Sequence, residues 1–114
     1  MFPSNTIQNG LRVTSVSSIA TAAINVDTTD VYVVSNLTSS LVVAKPDGTP
    51  SDEQYLEIRI KDSGTSRSLA FHSVFVSRGG LIPASTIIGK WTILTCLYNT
   101  NLSTWDLIST SVSI

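Results

Sequence analysis

The sequence predicts an all-β fold: an antiparallel β-sandwich of eight strands, jelly-roll-like, preceded by a short irregular arm. Three observations carry this. No window keeps apolar residues at the 3.6-residue period of a helix. Period-two alternation and short β-branched runs recur instead, bounded by Gly, Pro, Asn and Asp. The length, 114 residues, suits one domain with one modest core.

Taken in order, residues 1–10 show no repeating pattern and read as the arm, with residues 11–114 as the single domain. Residues 11–16, 19–26, 31–37 and 41–45 read as four strands, punctuated by Asn9-Gly10, residues 27–30 and Ser39-Ser40. Pro46-Asp47-Gly48-Thr49-Pro50 is a loop, because two prolines forbid a central strand there. Residues 55–61 give the clearest strand: Leu56, Ile58 and Ile60 share one face, and Glu57, Arg59 and Lys61 the other. Asp62-Ser63-Gly64 then turns the chain, Asp62 bonding the backbone ahead and Gly64 taking positive φ. Residues 67–76 follow, with Leu69, Phe71 and Phe75 on one face, and are expected to pair with 55–61 as an antiparallel hairpin. Residues 78–83 form a loop. Residues 91–98 are apolar on both faces, which predicts a central strand or one buried at a subunit contact. Residues 104–112 are the last strand.

Charged residues make up 13% of the chain, against about 25% in an ordinary soluble domain. Net charge is −1 and mean hydropathy +0.26. Two readings fit: a sandwich coated with Ser and Thr, or faces buried against other subunits, where charge is depleted. The second predicts a homotrimer. Arg59, Lys61, Arg67, Arg78 and Lys90 are scattered among acids, which excludes a nucleic-acid stripe. The apolar runs are too short to span a bilayer. The first residues lack the charged and apolar regions of a secretory signal, so the chain is expected to stay in the cytoplasm until assembled. The sequons at Asn36 and Asn101 then go unused.

The residues give little material for catalysis. His72 is the only histidine, and no Gly-x-Ser-x-Gly elbow accompanies it. Cys96 is the only cysteine and sits in an apolar run, as expected of a buried, inert thiol. A metal would need His72 from several subunits around a three-fold axis. Asp27, Asp30, Asp47, Asp52, Glu53, Glu57, Asp62 and Asp106 show no calcium-loop spacing. Gly79-Gly80 lacks the Lys and helix of a phosphate cradle. Trp91 and Trp105 suit core or interface packing better than stacking on a sugar or base. No cofactor is expected.

From Gly48 onward a succession of residues is more specific. It runs Gly48-Thr49-Pro50, then Gln54-x-Leu56-x-Ile58-x-Ile60-Lys61-Asp62-x-Gly64-Thr65-x-Arg67-x-Leu69-x-Phe71. It continues through Leu81-x-Pro83, Thr86, Lys90, Tyr98-Asn99 and Trp105-Asp106-Leu107. This succession resembles a domain found in virion structural proteins of tailed bacteriophages. Two positions depart from it: Glu53, where the pattern usually has Gly, and Phe71-His72, in place of Trp-Asn. The resemblance implies an architectural domain without an active site. It implies a β-sandwich used in phage heads, tails, fibres or adaptors, and the first expectation is a decoration (cement) protein at the capsid surface, bridging subunits of the major capsid protein. The alternative it leaves open is a tail or fibre module gripping a host glycan with the 46–50 or 78–83 loop. In the first case the arm is expected to cross a neighbour, with Phe2 and Ile7 as anchors; otherwise it is a frayed tail or an extra edge strand.

Overall fold

The computed structural model describes residues 10–113. The fold is all-β, and no helix occurs among the described residues. Nine strands follow in order: β1 (Val13–Val16), β2 (Thr21–Ala22), β3 (Val31–Leu37), β4 (Leu41–Val43), β5 (Tyr55–Asp62), β6 (Leu69–Phe71), β7 (Phe75–Ser77), β8 (Trp91–Asn99) and β9 (Thr104–Ser113). They form a six-stranded sheet, ordered β1-β3-β5-β8-β9-β7, and a three-stranded sheet, β2-β4-β6.

The first six strands alternate between the two sheets. Each passage through the small sheet returns the chain to the large one in its former direction. β1, β3 and β5 therefore pair in parallel, as do β2, β4 and β6. A parallel pair needs a long crossover, and here a strand of the opposite sheet supplies it. β5 then pairs antiparallel with β8, and β8 with β9, while β7 joins the far edge parallel to β9.

This mixed pairing corrects the expectation of an antiparallel, jelly-roll-like sandwich. It also corrects the hairpin expected between residues 55–61 and 67–76. Both edges of β5 are already occupied, by β3 and β8. Residues 67–76 break at His72, where the Phe75 amide donates to the His72 carbonyl at 3.0 Å. Their first part joins the small sheet as β6 and their second the large sheet as β7. The expected shared face survives this split: Leu69 and Phe75 are both buried, and the rings of Phe71 and Phe75 meet edge to face at 5.7 Å.

One apolar core lies between the sheets. From the large sheet come the cross-strand row Tyr32, Ile58 and Leu94 and the aliphatics Val34 and Ile60; from the small one come Ala22, Leu41, Val43 and Leu69. Each fully buried Leu or Ile contributes about 1.5–3 kcal/mol. Ile24 and Val26 extend the alternation beyond β2 although only an isolated bridge, Asn25 to Asp47, pairs that stretch. In β8, Thr92, Leu94 and Cys96 are buried, whereas Trp91, Ile93, Thr95 and Leu97 are half-buried on the opposite face. Burial holds the Cys96 thiol pKa up at about 12.

Candidate functional site

The side chain that organises the surface is Asp62. It ends β5 and is itself buried. One carboxylate oxygen accepts from the amides of Gly64 at 3.0 Å and Gly89 at 3.1 Å. The other accepts from the Thr86 hydroxyl at 2.7 Å. That hydroxyl accepts in turn from the Arg67 amide at 2.9 Å. Burial alone would raise the Asp62 pKa, but the Gly89, Thr86 and Gly64 donors and the Arg67 charge outweigh it and hold it below the usual carboxylate range. The expected local chemistry is present, since Asp62 bonds the backbone ahead and Gly64 has φ 112. What it builds is a clamp on a distant loop rather than a hairpin.

That loop spans residues 79–90. At its start, the amides of Arg78 and Gly80 both donate to the Leu107 carbonyl, at 2.9 and 3.2 Å, and Thr110 donates its hydroxyl to the Leu81 carbonyl at 2.7 Å. Farther along, the Leu69 amide donates to Ala84 at 2.9 Å, and Ser68 and Ser85 form an antiparallel bridge. At its end Lys90 donates to the Ile87 carbonyl at 3.0 Å across a tight turn, whose third residue, Gly89, has φ 75. A type II turn requires glycine there.

Between these clamps four large aliphatics face solvent. Leu81 is 78% exposed and Ile88 58%, and Ile82 and Ile87 are exposed as well. Scattered single apolar residues are ordinary on a surface, and four on one loop make that loop a candidate interaction site. Sequence reasoning placed a loop at 78–83 and missed Ile87 and Ile88. Two isoleucines directly before a turn glycine were the available signal.

Trp91 directly follows this loop, on the outer face of the large sheet. With Val33, Arg59 and Ile93 it lines a cleft of about 370 Å³, and the Lys61 ammonium stands 5.9 Å from its ring centre. Beside it the buried Glu57 accepts from the Tyr55 hydroxyl and the Arg59 guanidinium. Burial, reinforced by Glu57, pushes the Tyr55 pKa up to about 12. Trp91 is half-buried at this cleft, and β8 is a central strand of the large sheet, between β5 and β9, as one of the two sequence expectations has it.

Trp105 lies in the core, its ring 5.0 Å from that of Tyr98. The two tryptophans are thus not brought together. His72 is exposed, and its Nδ1 accepts from the Val74 amide at 3.0 Å. Phe2 and Ile7, the expected anchors of the arm, lie outside the described residues. Among the described residues no group of three or more His, Cys, Asp or Glu side chains is placed to hold a metal ion.

Family models, curated proteins and solved structures give no match to this chain. The reading of the site therefore rests on its own geometry.

Proposed function

We propose that the protein is a non-enzymatic structural component of a tailed-phage particle, a capsid decoration protein that docks on capsid subunits through its aliphatic loop. The observation that carries the docking mode is the loop itself: exposed aliphatics held between hydrogen-bonded clamps on β5 and β9. A flexible apolar loop would lose ordering entropy on binding, whereas a clamped one has already been ordered by the fold. The resemblance of residues 48–107 to virion domains supplies the setting. Low charge and the half-buried outer face around Trp91 support a homotrimer. Many copies of a modest apolar contact give a particle avidity without a large interface per copy.

Ile88→Asp tests this. The side chain is exposed, so stability is expected to change by no more than about 0.5 kcal/mol. Occupancy on particles lacking the native protein, read by quantitative gel, is expected to fall steeply. Unchanged occupancy would end the docking assignment. A copy number of a dozen or fewer per purified particle, rather than hundreds, would move the protein from capsid to tail.

A further inference from the structure

The outer face of the large sheet is bipolar. β8 lies in its interior, and the outward side chains of that strand run from Trp91 and Ile93 to Leu97, about 20 Å apart at about 3.4 Å per residue. At the first end, Trp91 and Ile93 share their cleft with Val33 and Arg59, and the Lys61 ammonium stands over the Trp91 ring. At the second, Leu97 shares a cleft of about 320 Å³ with Ile108 and three carboxylates, Asp52, Glu53 and Asp106. Each end joins an apolar surface to a charge, and the two charges are opposite.

Pairing within the chain leaves both ends charged. At the basic end Glu57 is buried and accepts from the Arg59 guanidinium and the Tyr55 hydroxyl. Lys61 makes no ion pair among the described residues. The next residue, Asp62, lies on the opposite face of β5, where Gly64, Thr86 and Gly89 hold it. Asp30, near the same part of the sheet, is taken by Arg12 at 2.9 Å. At the acidic end Arg78 stands 3.4 Å from Asp106. Asp52 accepts from the amide and hydroxyl of Thr100, both at 3.0 Å, and Glu53 is exposed. Neither Asp52 nor Glu53 makes an ion pair among the described residues, and Lys45 lines a different cleft. Screening at physiological salt acts over about 8 Å, well short of the separation of the ends. Each end therefore attracts whatever faces it rather than the other end of its own copy.

We infer that the basic end of one copy's outer face docks on the acidic end of the next copy's. Lys61 is then set against Asp52 and Glu53, and Trp91 and Ile93 against Leu97 and Ile108. A second copy is the fitting occupant because the complement of each end, in charge and in apolar surface, is carried by the same chain. The inference rests on the homotrimer of the proposed function and specifies its contact. A contact between unlike surfaces is head-to-tail, and three of them close a ring about a three-fold axis.

The test is the mass in solution, by light scattering at micromolar concentration, of the native chain, Lys61→Glu, Glu53→Lys and the variant carrying both changes. Circular dichroism shows whether each is folded. The native mass is expected to be three times the 12.2 kDa of the chain, and to fall as salt is raised to about 1 M. Either single reversal sets like charges against each other and is expected to weaken association at least about a hundredfold. The double variant exchanges the two ends and is expected to associate again. Asn101→Lys, at an exposed position of the acidic cleft, brings a cation there without altering Glu53 and is expected to weaken association too. A trimer unmoved by the single reversals, or a double variant as dissociated as the singles, would overturn the end-to-end contact and leave the trimer standing. A native dimer that follows the same pattern of loss and rescue would keep the contact and overturn the three-fold ring. A native monomer would overturn both.

Discussion

The winding part of the molecule, β1 to β6, and the hairpin part, β8 and β9, are held together in different ways. In the winding part most strands are short, and side chains tie its turns. The Arg12 guanidinium forks onto Asp30 with contacts of 3.0 and 2.9 Å, Thr14 bonds Thr29 at 2.7 Å, and Ser18 bonds Thr38 at 3.0 Å. Asp62 gathers the end of the third turn. The hairpin part is a ladder of nine paired residues, interrupted once between Thr95 and Cys96, with Trp105 beneath it. Parallel winding spreads its stability over many polar ties at the turns, whereas the antiparallel ladder concentrates it in the backbone and one large ring.

The comparison can be broken at its strongest point by Trp105→Ala. Removing a fully buried indole is expected to cost about 3–5 kcal/mol, read as a lower midpoint in urea with an unchanged slope. A loss below about 1 kcal/mol would mean that the hairpin does not depend on this ring.

Asp62→Ala probes the winding part. It leaves the Gly64 and Gly89 amides and the Thr86 hydroxyl without their acceptor, and about 3 kcal/mol of destabilisation is expected. Circular dichroism melts of the variant beside the native chain measure it. The same carboxylate sets a direction with pH. Its folded pKa lies below the unfolded value of about 3.9, as do those of Asp30 and Asp106. Their contribution is complete above the unfolded pKa and is lost as pH falls through the folded one. Acid is therefore expected to destabilise the native chain, with a smaller acid dependence in the Asp62 variant. Equal dependence in both would show that Asp62 is not a source of it.

The smallest expected change is a gain. The Gln54 amide donates to the Ser51 carbonyl at 3.1 Å, and Glu53, third in that turn, has φ 61. Glycine is the residue that a type II turn favours at this place. Glu53→Gly is expected to stabilise the fold by about 1 kcal/mol through relief of the left-handed backbone. A lower melting temperature would show that the glutamate side chain compensates for its backbone.

How much of this was legible in the sequence follows from what alternation encodes. It assigned Leu56, Ile58 and Ile60 to the core and left Arg59 exposed, as the structure has them. It says nothing about which strand lies alongside. The turn chemistry of Asp62 and Gly64 is equally compatible with a hairpin and with a crossing to the other sheet, and the chain makes the crossing. Glu57 was expected to be wet but is buried, because Tyr55 and Arg59 close over its carboxylate. The anchoring of residues 86–89 to Asp62 could not be read at all, because it unites segments far apart in the chain and no local pattern records such meetings.

The parallel winding also bears on how the chain is made. Only the β8–β9 ladder joins neighbouring segments through a tight turn. Every other ladder must close a long loop before any of its bonds form, which costs entropy and time. On the ribosome β1 to β5 emerge first, yet the antiparallel partner that completes β5 is synthesised more than twenty residues after it ends. The sheet therefore acquires its centre late, and its first-made strands wait with open edges. The Ser and Thr side chains between their apolar positions keep those edges soluble during the wait.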